Sequence, residues 1–107
     1  MKRGDLVTVA MRGDNGKPRP AVVIQSDIFL ATDGVLVLPL TTTLHPMPIY
    51  RIDVEPSPEN GLRERSQIML DRLGHIRREK IGDVIGQLDP QTMQQLERLL
   101  AVFLGIA

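Results

Sequence analysis

The chain has 107 residues, 42% hydrophobic and 24% charged, which gives a globular protein enough apolar material for one core but too little length for two domains. Thirteen Lys and Arg offset thirteen Asp and Glu, so a uniformly basic nucleic-acid coat is excluded. Cysteine is absent, which excludes a disulfide framework, a thiolate zinc site and a cysteine nucleophile. The charged start Met1-Lys2-Arg3-Gly4-Asp5 lacks the apolar stretch of a signal peptide, and no apolar run approaches the roughly 20 residues of a membrane span. The expectation is a soluble, cytoplasmic chain that does not engage a membrane.

In chain order, residues 5–11 alternate around Leu6, Val7 and Val9 and predict a strand. Asp14-Asn15-Gly16 is turn chemistry, and Pro18 and Pro20 bracket Arg19 ahead of the short apolar run 21–25, a second strand. A turn at Asp33-Gly34 leads into a third strand over 35–40, where Pro39 predicts an edge or a bulge because it cannot donate to a ladder. Residues 49–54 alternate apolar and charged as a half-exposed strand, 56–61 are loop, and 67–70 form a fifth strand. The stretch 75–88 is ambiguous, with a turn around Arg78-Glu79-Lys80 and a last strand from Asp83 to Leu88.

Asp89 then reads as a helix N-cap, Pro90 as the first helical residue and Gly105 as the stop. Met93, Leu96, Leu100 and Phe103 share one helical face, widened by Leu99 and Val102, and Phe103 is assigned to the core. Short strands closed by one helix predict a small, strongly bent β-sheet or barrel with the helix packed across it.

The charges are unevenly distributed. Residues 1–19 carry Lys2, Arg3, Arg12, Lys17 and Arg19 against Asp5 and Asp14, and residues 63–80 carry six basic against three acidic residues. The segments between and after them are acidic. The two basic segments either join in one positive groove or remain solvated surface.

Metal chemistry finds no support in the spacing, since His45 and His75 stand far apart and neither lies in a ligand cluster. No phosphate loop of the P-loop or Rossmann kind is present, and nothing in the spacing of Ser26 or Ser66 supports a triad. Three aromatics, Phe29, Tyr50 and Phe103, are too few for a base-stacking sheet. Arg19, held between two prolines at a loop–strand junction, suits bidentate contact with phosphate oxygens or a surface ion pair. Thr41, Thr42 and Thr43 at a strand end offer hydroxyls to a phosphate or cap a turn.

Lys2-Arg3-Gly4-Asp5-Leu6-Val7 resembles the opening of the MazF/PemK family of toxins from bacterial toxin–antitoxin pairs. Lys17-Pro18-Arg19-Pro20-Ala21-Val22-Val23-Ile24 is similar to its Arg-Pro loop and second strand, and Leu38-Pro39-Leu40-Thr41-Thr42 to its strand ending in a hydroxyl pair. Gly61-Leu62, Ser66-Gln67-Ile68-Met69-Leu70-Asp71 and the C-terminal helix complete the order over nearly the whole chain. The resemblance implies one toxin domain over 1–107, mainly β with a C-terminal helix, in a small SH3-like barrel of the CcdB/MazF/PemK type that forms a homodimer. It also implies a sequence-specific endoribonuclease that cleaves single-stranded mRNA without metal or other cofactor and is inhibited by a cognate antitoxin, acidic and partly disordered. In the implied reaction the ribose 2′-OH attacks the adjacent phosphate, leaving a 2′,3′-cyclic phosphate and a free 5′-hydroxyl.

On the matching positions, Arg19 takes charge stabilisation and proton donation, Thr41 hydrogen-bonds the phosphate, and Asp71 takes acid–base work or substrate binding. Lys17, Thr42, Arg72 and His75 are the implied RNA-binding residues, and base readout falls to loops 12–18 and 43–48. The chain departs from the family in having Met69 where some relatives carry arginine, and in lacking an acid just before Arg19, for which Asp14 is the nearest substitute. The alternative is a gyrase inhibitor of the CcdB type, whose terminal Trp-Gly-Ile is matched only in Gly105-Ile106.

Overall fold

Apolar residues follow one another along the central strands, and the strand period of two sorts them onto the two faces of one antiparallel sheet. The computed structural model describes residues 1–10, 17–46 and 49–107. The turn expected at Asp14-Asn15-Gly16, the charges of Arg12 and Asp14, and part of each expected readout loop lie outside the described residues. The strands are β1 (Asp5–Val9), β2 (Arg19–Val23), β3 (Gly34–Thr41), β4 (Arg51–Val54), β5 (Ser66–Met69), β6 (Gly74–Arg77) and β7 (Ile81–Gln87), followed by helix α1 (Pro90–Phe103). They form a seven-stranded sheet in the order β4-β5-β3-β2-β1-β7, with β6 pairing β3 off that path. The mainly β fold with one closing helix is the one expected.

Leu6, Val22, Leu38, Leu40, Ile52 and Ile68 face one side, where Leu96 of α1 packs among them. Val7, Val9, Ala21, Val23, Val35, Val37 and Ile76 form a second buried cluster on the other side, which the curling sheet closes over itself. Each strand of the central trio β1, β2 and β3 therefore feeds both cores.

Pro39 corrects the expectation of an edge or bulge. It lies buried inside β3, opposite Ala21 of β2. The Ile24 N–H donates to Leu36 O at 3.1 Å, so the alternation of the ladder turns the Pro39 nitrogen away from β2. On that far edge β3 pairs with β6 through Gly34–Val37 and with β5 through Leu40 and Thr41. The missing donor falls where one neighbouring strand gives way to the other. The ambiguous stretch resolves into β6, a 3-10 turn at Arg78–Lys80 and β7.

At the helix, Asp89 Oδ2 accepts the Thr92 N–H at 2.9 Å and Pro90 opens the first turn. The helix ends in a Schellman motif: Gly105, at φ 77°, donates to Val102 O and Ile106 donates to Ala101 O. Gly105 thus serves as the helix terminator. Phe103 departs from its core assignment, being 46% exposed, with its ring 6.4 Å from that of Tyr50. The exposed stretch continues through Val102 and Leu104 on either side of it.

Replacing Asp89 with Ala is expected to cost about 1 kcal/mol, and Leu96→Ala about 2–5 kcal/mol, read as lowered urea midpoints at unchanged slope.

Candidate active site

The strand registers carry polar residues to one end of the sheet. Arg19 opens β2 opposite Val9, and Ala21 lies opposite Pro39. Two more residues in that register bring Arg19 level with Thr41, both side chains on the same face. Thr41 pairs with Gln67, and Gln67 pairs with Asp53. The row Arg19, Thr41, Gln67, Asp53 therefore crosses the sheet where the apolar rows of the second core give out.

Thr41 is half-buried and its hydroxyl is already oriented. Its Oγ1 accepts the Thr43 N–H at 3.0 Å, a local turn in which the hydroxyl serves as acceptor. The hydroxyl proton therefore points elsewhere and can be donated to a phosphate oxygen. Lys17, Arg19 and Thr42 are exposed.

The other expected residues sit on the turn after β5 and on β6. Asp71 and Arg72 are exposed in the 3-10 turn Leu70–Arg72, at the corner where β5 ends and β6 begins. His75 on β6 pairs with Leu36, five positions along β3 from Thr41, or about 17 Å, and on the opposite face. Its ring lies across Gly34, where any Cβ would overlap it, so Gly34 is the residue that admits the histidine.

Sequence reasoning missed the polar neighbours of Thr41. Gln67 is 3% exposed and hydrogen-bonds Asp53, Arg51 and the backbone of His45. Arg65 pairs with Asp53 of β4 and with Glu55 just after it, each at 3.0 Å, so part of the basic segment 63–80 is spent on neighbouring acids. Arg3 is likewise paired with Glu97 at 2.8 Å. The available signal for Gln67 was its position in Ser66-Gln67-Ile68, where alternation sets it opposite the buried Ile68. A cavity of about 420 Å³ opens beside this network, lined by His45, Ile49, Arg51, Asp53, Gln67 and Gln95. Among the described residues, no three His, Asp or Glu side chains converge as a metal site.

Residues 2–104 match the family described as the PemK-like, MazF-like toxin of type II toxin–antitoxin systems. The chain belongs to the PemK/MazF toxin family. A relative from Mycolicibacterium smegmatis, named probable endoribonuclease MazF, is 44% identical over 100% of this chain and 99% of its own. A mycobacterial endoribonuclease solved with its cognate antitoxin superposes with a TM-score of 0.83 at 22% identity, covering 100% of this chain and 97% of that one. The Mycobacterium tuberculosis toxin MazF-mt6 gives 0.82 at 20% identity over 96% and 98% of the two chains. At such identities these structures establish a shared fold. The register of β2, β3 and β5 shows what surrounds Arg19 and Thr41 in this chain. Among the described residues no helix is long and apolar enough to cross a membrane.

Asp53 gives the network a signature in acid. The Gln67 hydrogen bond is the main influence lowering its pKa below the ordinary carboxylate value, Arg65 adds to it, and partial burial opposes both. A lowered folded-state pKa contributes stability that is complete above the unfolded value and disappears as pH falls through the folded one. Asp53→Asn is therefore expected to lower the urea midpoint slightly at pH 7, the effect being small because Asp53 and Arg65 are half-exposed. The midpoints of the two proteins should converge below about pH 4.

Proposed function

We propose that this chain is the toxin of a type II toxin–antitoxin pair and acts as a metal-independent, sequence-specific endoribonuclease on single-stranded mRNA. The observation that carries the reading is the Thr41 hydroxyl at the end of β3, whose oxygen is held by Thr43, leaving its proton for a phosphate; the β2–β3 register, continued two residues past Ala21 and Pro39, leads to Arg19. Membership of the family and the endoribonuclease name of the relative support it.

In this reading the 2′-oxygen attacks the adjacent phosphorus, forming the O2′–P bond and losing its proton. The P–O5′ bond breaks, and O5′ leaves with a proton as the 5′-hydroxyl. Charge accumulates on the non-bridging oxygens in between, where preorganised donors act most strongly. The Arg19 guanidinium compensates that charge in a fixed fork and Thr41 donates a hydrogen bond. Lys17 and Thr42 flank them as contacts to the RNA backbone. Asp71, at the β5–β6 corner, takes acid–base work or substrate binding, while Arg72 beside it and His75 on β6 contact the RNA.

The protein works as a single toxin domain over residues 1–107, in the cytoplasm and as a homodimer. The exposed apolar side chains of Ile49, Tyr50, Val102 and Phe103 support a partner surface. A cognate antitoxin with an acidic, disordered segment inhibits it by occupying the ground of the RNA phosphates.

Antitoxin-free protein incubated with mixed-sequence RNA in EDTA is expected to give discrete cuts ending in 2′,3′-cyclic phosphate. Arg19→Ala and Thr41→Ala should each slow cleavage by about 10²–10³-fold, while Thr41→Ser retains most of it. Intact RNA with folded wild-type protein would overturn the reading.

A further inference from the structure

Gln67 uses every hydrogen-bonding position of its carboxamide. Its Oε1 accepts from the His45 N–H at 3.0 Å and from Arg51 Nη1 at 3.4 Å. Its Nε2 donates to His45 O at 3.0 Å and to Asp53 Oδ1 at 2.8 Å. Two acceptor and two donor positions are the full inventory of the group. His45 lies beyond the end of β3, yet both its N–H and its C=O are paired, as a neighbouring strand would pair them. One side chain has taken the place of a ladder partner.

The same clamp reaches the reactive hydroxyl. Arg51 Nη1 also donates to Thr43 O at 3.3 Å, so the segment after Thr41 is fastened at residue 43 and again at residue 45. The Thr43 N–H is the group that holds Thr41 Oγ1 as an acceptor. We propose that Gln67 is a positioning residue for the Thr41 hydroxyl: by clamping His45 it keeps the Thr43 N–H on Oγ1 and the hydroxyl proton aimed at the phosphate. This role rests on the ribonuclease reading above. It requires a neutral group, because the Asp53 carboxylate faces Nε2 and a second carboxylate there would oppose it while having nothing to donate to His45 O.

The test compares wild type, Gln67→Met, Gln67→Glu, Thr41→Ala and the Thr41→Ala/Gln67→Met double variant. It measures steady-state cleavage of one defined RNA and amide hydrogen exchange at Thr43 and His45. For Gln67→Met that still unfolds cooperatively in urea, kcat is expected to fall about 10–100-fold, with KM nearly unchanged and protection lost at both amides. In the Thr41→Ala background the same substitution should have little further effect, because the hydroxyl it positions is gone. Unchanged kcat, or an equal loss in both backgrounds, overturns the role.

Should Gln67→Met fail to fold, the pH profile of Gln67→Glu decides. Its kcat relative to wild type is expected to rise as pH falls and the introduced carboxyl regains a donor, and a flat ratio overturns the proposal. Wild-type protein that leaves RNA intact overturns the ribonuclease reading and this role with it. Persistent protection of the His45 amide would then show that the clamp is real but serves only the fold.

Discussion

Strand β3 is shared by more of the molecule than any other element, and its constraint is that a strand has only two edges. One edge is taken by β2; the other is divided between β6 and β5. That division works because Pro39, the one residue of β3 without an N–H, sits at the handover. The side chains of β3 also alternate between the two cores, Val35 and Val37 into one and Leu38 and Leu40 into the other. With both edges and both faces committed, the strand leaves its C-terminal residue, Thr41, no freedom of place.

The end of β3 is also where apolar packing stops and polar chemistry begins. One row inward the face holds Ala21 and Pro39; at the next it holds Thr41, Gln67 and Asp53. A catalytic group needs a rigid mount and access to solvent, and the last rung of a well-packed ladder supplies both. The amide and carbonyl of His45, in the chain departing from β3, are both paired by the side chain of Gln67.

What could be read beforehand follows from the range of the interactions. Helix α1 was legible to the residue at its start because Asp89, Pro90 and Thr92 settle it locally, and its Gly105 stop is equally local. Alternation exposed β1, and the Asp33-Gly34 turn with the apolar run after it exposed β3, for the same reason. Strand β6 was not legible, since Gly-His-Ile-Arg holds one buried apolar residue and gains its strand character only by pairing with Gly34–Val37. Phe103 misled because helical periodicity says which face a residue shares but not how far the sheet beneath extends. Arg19 and Thr41 could be singled out as candidates from their surroundings in sequence, whereas Gln67 depended on contacts with His45 and Asp53, 22 and 14 residues away. Pairings at such distances leave no trace in a single sequence.

The pairing of β1 with β7 has a consequence for timing. Asp5 finds its register partner in Gln87, so the first strand made must wait for nearly the last. Closing so large a loop costs entropy before the contacts reward it, which places the fold among the slower small domains. A chain emerging from the ribosome can assemble β2 with β3, and β4 with β5, while its first strand still lacks one neighbour and the apolar face of α1 has not been made. The sheet is sealed only by the residues that immediately precede the helix. A chain lacking β7 is therefore an unfinished fold, with β1 short of a neighbour.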